Sequence, residues 1–534
     1  MEITMRSIAF KRHHYRQVGV GARCTLIIPV AAIIILILAG CAAVGPDYAR
    51  LKPQAPKEWH TQLQGDLTAD RLNPETMANW WTTLNDQELS SLEKRAIKGN
   101  LNLKDARARV REARALRGIE KAVFFPSLDA SGSASKRRSS ENSGTGTESK
   151  LYQAGFDAGW ELDIFGGVRR SVEAAQADLE AAQEDLHDVL VSLLAEVALN
   201  YVDTRTYQAR LAAIKANMKA QQDIYELNLL RYKAGLIDEL AVQQSRYILE
   251  STRSRIPTLE TGLEKAKNRL AVLLGEKPGA MHRELAEAKP IPVPPVMVAV
   301  GIPAETMRHR PDIRRAERNL AARTARIGVA TADLYPKFRL AGNIGLESIS
   351  SSNFWEWAGR TWSIGPGVSW KIFHAGAIRQ NIKVQTARQK QALVQYESAV
   401  LIALEEVENA VTAYAREQLR LESLKAAVLS ARRAYELSRD LYNAGLVDFS
   451  DVLDATRSLQ SYQDELAGSE GTVTSNLIRL YKALGGGWKS LEPSLIVRKN
   501  KEGDHNESKT RQPSGTYIGY GSAFGVEEAP EAMD

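Results

Sequence analysis

Tyr152-Gln153-Ala154-Gly155-Phe156-Asp157-Ala158-Gly159-Trp160-Glu161-Leu162-Asp163-Ile164 is the stretch on which the fold turns. Its even positions are apolar or small and its odd positions polar or glycine, so a strand here carries one greasy face and one wet face. The pattern recurs downstream, where Trp362, Ile364, Pro366, Val368, Trp370 and Ile372 alternate with Thr361, Ser363, Gly365, Gly367, Ser369 and Lys371. Shorter partner strands are expected from Leu128 to Ala134 and from Phe338 to Leu346, just past Pro126 and Pro336. Alternation ordinarily marks a sheet packed on a soluble core. Three features point to lipid instead. The runs approach the roughly nine to eleven residues of a tilted membrane crossing. Tyr152, Trp160, Trp362 and Trp370 suit interfacial depth, and long polar loops such as Lys136 to Lys150 join the pairs. The flanking sequence reads as long helices, which offer no compact core to cover a sheet. Four strands do not close a barrel, and open edges in lipid are costly, so oligomerisation is required. Two chains would supply eight strands and three would supply twelve; the pattern alone allows both.

The chain repeats itself. A shift of 210 residues lays Tyr225-Glu226-Leu227 on Tyr435-Glu436-Leu437, and Tyr232, Ala234, Gly235, Leu236 and Asp238 on Tyr442, Ala444, Gly445, Leu446 and Asp448. The same shift lays Trp160 on Trp370, Glu196-Val197 on Glu406-Val407 and Leu274-Gly275 on Leu484-Gly485. One large block has been duplicated, giving a first repeat over 100–275 and a second over 310–485. Within each, apolar positions alternate steps of three and four, as at Ala175, Leu179, Ala182, Leu186, Val189 and Leu193. Neither 171–231 nor 377–441 holds a proline, so each predicts one helix, roughly 90 Å long at 1.5 Å per residue. Each ends in Ala-Gly-Leu, where Gly235 or Gly445 stops the helix before a second one returns. Pro257 is expected to interrupt and kink the first returning helix.

Of the 534 residues, 44% are apolar and 25% charged, which excludes both wholesale disorder and a polytopic helical membrane protein. The net charge of +6 falls to +2 once residues 1–40 are set aside, so basicity does not argue for nucleic acid. Basic residues up to Arg23 precede an apolar run from Leu26 to Leu38 that closes in Leu38-Ala39-Gly40-Cys41, the form of a lipoprotein signal peptide over 1–40. Cleavage would expose Cys41 for acylation, and two or three chains at roughly 0.8 kcal/mol per buried methylene hold a protein firmly to a membrane. Ala42 follows, where an Asp would suggest retention at the inner membrane. Nothing beyond Cys41 is cysteine, so disulfides, thiol catalysis and CxxC zinc sites are excluded from the mature chain. Residues 41–99 form the acylated N-terminus and an equatorial segment, 276–309 a proline-rich connector, and 486–534 a polar, disordered tail.

Cys41 followed by Ala43-Val44-Gly45-Pro46-Asp47-Tyr48, the pair Trp80-Trp81 before Asp86-Gln87-Glu88-Leu89, and Arg310-Pro311-Asp312-Ile313 with Ala316-Glu317 complete a pattern with the Ala-Gly-Leu tips. Together they resemble the TolC-like outer membrane factors of tripartite efflux pumps, in the NodT-type lipoprotein branch, from Cys41 to about Trp488. That resemblance implies a mainly α fold with a membrane β-barrel: a homotrimer with twelve strands in the outer membrane, continuous with a periplasmic barrel of duplicated helical hairpins. Residues 47–97, the connector and the region near 485 would form a belt around it. It implies a periplasmic adaptor and an inner-membrane transporter as partners, besides outer membrane lipid. The tips would then dock the adaptor and gate the aperture through Arg231, Tyr232, Gly235, Leu236, Asp238, Arg439, Tyr442, Gly445, Leu446, Asp448 and Asp451. Under threefold symmetry Asp448 and Asp451 could ring the aperture and contact Arg439, or simply cap helix ends. Phe156, Trp160, Trp362 and Trp370 would face lipid.

Arg310-Pro311-Asp312 reads as a helix start, with proline in the first turn and a carboxylate near the positive end. No nucleotide loop, HExxH pair or GxSxG elbow is present, so the chain reads as neither an enzyme nor a metal or cofactor binder. The expectation is a passive conduit opened by its partners. Its cargo defaults to small toxic organic compounds, because eight Met and eight His form no cluster that would mark a copper or silver path. The alternatives are a lipid-anchored periplasmic adaptor, which would carry one hairpin rather than two, and a hydrolase lipoprotein, which would need a nucleophile or metal constellation.

Overall fold

The computed structural model describes residues 43–51, 55–64, 66–71 and 73–491. The signal segment and Cys41 lie outside the described residues, as does 492 onward of the tail expected to be disordered over 486–534; its first residues differ from that expectation, since the Gly487 amide donates to Met77 O, Trp488 is buried and Trp488–Leu491 form a short helical turn. The chain divides into one unit from Met1 to Trp488 and another from Lys489 to Asp534. In chain order the elements are β1 (Leu67–Thr68), α1 (Pro74–Ala78), α2 (Gln87–Gly99), α3 (Leu101–Ala122), β2 (Ser127–Arg138), β3 (Glu148–Leu162), α4 (Gly167–Lys233) and α5 (Glu239–Leu274). They continue with β4 (Val298–Ala299), α6 (Pro303–His309), α7 (Pro311–Ala332), β5 (Lys337–Ser348), β6 (Arg360–Ser369), α8 (Ala377–Asn443) and α9 (Phe449–Ala483).

The duplication is geometric as well as sequential: α7, β5, α8 and α9 each begin 210 residues after α3, β2, α4 and α5. Helices α4 and α8 have 67 residues each, so each extends about 100 Å. They start earlier than the apolar pattern suggests in the first repeat, because Asp163 accepts from the first-turn amides of Val168 and Arg169 at 3.0 and 2.9 Å. The kink expected at Pro257 does not break α5, which runs unbroken from Glu239 to Leu274. Thr261 Oγ1 donates to the Pro257 carbonyl at 2.7 Å inside that helix.

The four long strands form one antiparallel sheet in the order β2-β3-β5-β6. β2 outruns its expected end at Ala134 by four residues, pairing Ser135-Lys136-Arg137-Arg138 with Leu151-Lys150-Ser149-Glu148. Backbone pairing continues there where apolar side chains have ended, and apolar alternation was the only signal in the sequence. The connection between β2 and β3 is correspondingly shorter than Lys136 to Lys150. Trp370 and Ile372 fall beyond the end of β6, on a turn in which the Ile372 amide donates to Trp370 O.

A belt binds the two halves. β1 pairs in parallel with β4, Leu67 opposite Val298. Trp80 and Trp81 are buried, and Trp80 stacks on Tyr481 of α9 with centroids 5.4 Å apart. Asp86 caps α2 at the Leu89 amide and accepts from Tyr201 of α4 at 2.8 Å. Leu89, Leu92, Leu103, Leu190, Leu194 and Leu270 close the core beneath, each fully buried. At roughly 1.5 to 3 kcal/mol per buried leucine, this cluster fixes α2 and α3 against α4 and α5.

Candidate functional site

The register of the sheet sorts its side chains cleanly. Phe156 lies opposite Ala130 and Ile344, Leu128 opposite Ala158, Trp160 opposite Leu340, and Trp362 opposite Ile344, so one face is apolar across all four strands. Phe156, Trp160, Trp362 and Trp370 are all exposed on the chain, Trp362 at 72%. The other face is polar and self-paired. Ser131 Oγ donates to Asp157 at 3.1 Å, Gln153 Nε2 donates to Glu347 at 3.2 Å, and Arg339 lies 3.6 Å from Glu161. A large exposed apolar face backed by a hydrogen-bonded polar one is suited to lipid on one side and water on the other. β2 and β6 have no outer partner strand among the described residues.

The helix end of the sheet carries a second set of contacts. Trp160 Nε1 donates to Phe124 O at 2.9 Å and Trp370 Nε1 to Leu334 O at 3.0 Å, so each indole satisfies its polar edge on the turn entering a strand. Beside them, Arg170 of α4, 5% exposed at its side chain, gathers the segment that follows the lipidation motif. It donates to Val44 O, Ala43 O and Gly45 O and pairs with Asp47 at 2.6 Å. The Val44 amide donates to Phe165 O at 3.1 Å.

At the far end of the long helices, the hairpins α4–α5 and α8–α9 turn through Gly235 and Gly445. Both glycines take φ of +72° and +74° with open space where a Cβ would stand, so conformation rather than crowding demands glycine. Leu236 donates its amide to Arg231 O, and Leu446 donates to Leu441 O, closing both turns in the same way. Asp238 Oδ1 accepts from the Ala241 amide at 3.2 Å and caps α5. Asp448 occupies the equivalent position without a side-chain cap bond, and Asp451 sits in the first turn of α9. Within the chain Arg439 pairs with Asp440 at 3.4 Å and lies over Tyr435, not against Asp448 or Asp451. Tyr232, Leu236 and Leu446 are exposed, as are Leu230 and Leu240, two residues that the repeat pattern did not single out.

A polar seam joins the two hairpins along their length. Arg210 of α4 and Arg255 of α5 both pair with Asp464 of α9 at 2.7 Å. Burial alone would raise the Asp464 carboxyl; the two guanidiniums outweigh it and hold the group below its ordinary value. Nearer the tip, Asn217 Nδ2 donates to Gln463 at 2.9 Å and Tyr442 Oη donates to the buried Asn228 at 3.1 Å. Arg231 lies over the Tyr442 ring at 5.2 Å and reaches Asn443 Oδ1 at 3.4 Å. Asn228 Nδ2 and both amide atoms of Gln221 are buried without a partner among the described residues. Such groups cost about 1–3 kcal/mol each, so the tip half of the seam is its weaker half.

The belt holds the roots of these helices. Arg310, 7% exposed at its side chain, donates to Ala483 O at 2.5 Å, pairs with Asp312 at 2.7 Å and with Glu406 at 2.6 Å. Asn100, its counterpart in the first repeat, donates to Leu273 O at 2.8 Å. The motif around Arg310 therefore starts α7 and ties off the last turn of α9, a role its local sequence does not reveal.

Comparison with known proteins gives the same architecture a family. Residues 92–276 and 302–486 match the family described as Outer membrane efflux protein. Nodulation protein T of Rhizobium leguminosarum bv. trifolii is 33% identical over 462 residues, which covers 85% of this chain and 96% of that protein. The cation efflux system protein CusC of Escherichia coli O6:H1 is 29% identical, covering 85% and 98%. Among solved structures, the outer-membrane channel OprN superposes with a TM-score of 0.78 at 35% identity, over 84% of this chain and all of that one.

Proposed function

The chain belongs to the outer membrane efflux protein family and is an outer membrane efflux channel reaching into the periplasm; within that family we propose that three copies form one passive conduit of a tripartite system. The observation that carries this reading is a four-stranded sheet, apolar on one face and polar on the other, continuous with helices of 67 residues. Its two unpaired edges require neighbours in lipid, and β2 of one copy against β6 of the next closes a twelve-stranded cylinder with its polar face inward. Strand, hairpin and connector segments take the roles read from the sequence, with the two repeats as rods and the belt as their collar.

The acyl anchor at Cys41 fits the same frame. Ala43 O accepts from Arg170, and the Val44 amide donates to Phe165 O. Arg170 thus holds the start of the described chain near the sheet, which suits a lipid anchor just before it. The tip leucines Leu236 and Leu446, with Leu230, Leu240 and Tyr232, offer a docking surface for an adaptor protein. Opening displaces α8–α9 from α4–α5, breaking the Tyr442–Asn228 and Arg231–Asn443 contacts while the Asp464 clamp persists. Energy comes from an inner-membrane transporter rather than from chemistry on this chain. The cargo is a small toxic organic compound. Purified protein in a planar bilayer should conduct as a trimer, and a gene deletion should sensitise cells to at least one organic toxicant. A non-conducting monomer refutes the conduit, and sensitisation to copper or silver alone refutes the cargo.

A further inference from the structure

Past the apolar band, the outward face of the sheet turns basic. Alternate positions of a strand share a face, so Lys136, Arg138, Lys150 and Arg360 stand on the same side as Phe156 and Trp362, at the hairpin end of the strands. Lys136 lies directly opposite Lys150, an arrangement that repels unless an anion sits between them. Glu148 reaches Lys136 at 2.7 Å and Glu141 reaches Arg138 at 3.2 Å, while Glu356 lies on the β5–β6 connection. Lys150 and Arg360 have no carboxylate partner among the described residues. Arg360 instead lies over the Trp357 ring, 4.2 Å from its centroid, and donates to Trp357 O. Trp355 and Trp357 are 82% and 77% exposed on the same rim, and tryptophan in that state prefers the headgroup layer of a bilayer to open water.

We propose that this rim binds the phosphate groups of outer-leaflet lipid, with Lys136, Lys150 and Arg360 as the cations and the Trp355–Trp357 segment seated between headgroups. The proposal rests on the reading that the Trp160 and Trp370 face contacts lipid. Charge complementarity selects the occupant. Cations continue an apolar band outward, where a phosphorylated lipid places its anions directly above its acyl chains.

The test uses the intact acylated protein in detergent, offered lipid A carrying its phosphates or the same lipid dephosphorylated, with retention read by native mass spectrometry. Wild type should retain the phosphorylated form roughly tenfold better, and Lys136→Gln/Lys150→Gln/Arg360→Gln should lose most of that preference. Equal retention of the two lipids by wild type overturns the proposal even if the triple variant fails to assemble. Displacement by millimolar inorganic phosphate also overturns it, since a lipid site depends on the chains as well as the anion. In a parallel measurement, brominated acyl chains should quench the fluorescence of Trp160 and Trp370. Quenching without phosphate preference sinks this inference alone, whereas absence of quenching sinks the lipid-facing reading beneath it.

Discussion

Replacing Arg310 should loosen the root of the α8–α9 hairpin more than any other single charge removal in the belt. Arg310→Met keeps most of the stem volume and deletes every donor. Its loss strips Ala483 O of a buried partner and leaves Asp312 and Glu406 facing a vacated guanidinium site. Breaking a buried ion pair from one side costs about 3–5 kcal/mol. Here Glu406 is 51% exposed and Asp312 23% exposed, so both rehydrate in part, and the expected cost is at the low end, about 3 kcal/mol. Glu406→Gln should cost under about 1 kcal/mol, as for other half-exposed pairs. Asp312→Asn should fall between the two. Arg310→Asn is the informative variant, because Asn100 in the first repeat already donates to Leu273 O and caps the Leu103 amide. An asparagine at 310 can restore the bond to Ala483 O while leaving the two carboxylates unpaired, so its loss should be smaller than that of methionine. The assay is guanidinium-induced loss of trimer in detergent at fixed protein concentration, with midpoints compared across the series. Arg310→Met within about 0.5 kcal/mol of wild type, or Glu406→Gln as damaging as Arg310→Met, would refute the reasoning.

Tyr442→Phe removes the hydroxyl that donates to the buried Asn228 Oδ1 and should weaken the tip by about 1–3 kcal/mol, seen as larger or more frequent single-channel openings. Unchanged openings would place the resting constraint elsewhere. Gly445→Ala has space for its methyl but not the backbone conformation, so a destabilisation of about 1–2 kcal/mol is expected in thermal unfolding without loss of assembly. Glu93 is fully buried with neither carboxylate oxygen hydrogen-bonded among the described residues, and burial pushes its carboxyl well above the ordinary range. The folded state therefore keeps a proton that the unfolded chain releases above its own pKa, so this group lowers stability as pH rises, by about 1.4 kcal/mol per unit until the folded group titrates. Glu93→Gln should abolish that slope and stabilise more at pH 8 than at pH 5; an equal effect at both would show that Glu93 is ionised in place. Cys41→Ser should remove acyl mass from the mature protein, and retention of that mass would disprove the lipidation reading.

The fold was legible because its signals are periodic. Strand alternation at Tyr152–Ile164 and the 210-residue shift at the Ala-Gly-Leu turns were sufficient to locate the sheet and both hairpins. What escaped was whatever depended on pairing between distant segments. Ser135 to Arg138 has no apolar alternation and becomes strand only because Glu148 to Leu151 lies beside it. Arg210, Arg255 and Asp464 are ordinary surface charges in sequence, and only packing of α4 and α5 against α9 makes them a clamp. The equivalence of Asn100 and Arg310 was within reach, since both stand at the same place in the repeat. Their shared task was hidden by unlike side chains. The tip residues divide similarly: Gly235 and Gly445 announce a turn, whereas the bond between Tyr442 and Asn228 joins helices more than two hundred residues apart.

The bare margins of β2 and β6 also govern how such a cylinder comes into being. A lone chain that entered the bilayer would present both ladders to hydrocarbon, so membrane entry and association have to occur as a single event rather than in sequence. Subunits impaired at either margin would consequently poison their healthy neighbours. In a cell making both kinds, the yield of sound pores should fall as the cube of the sound fraction.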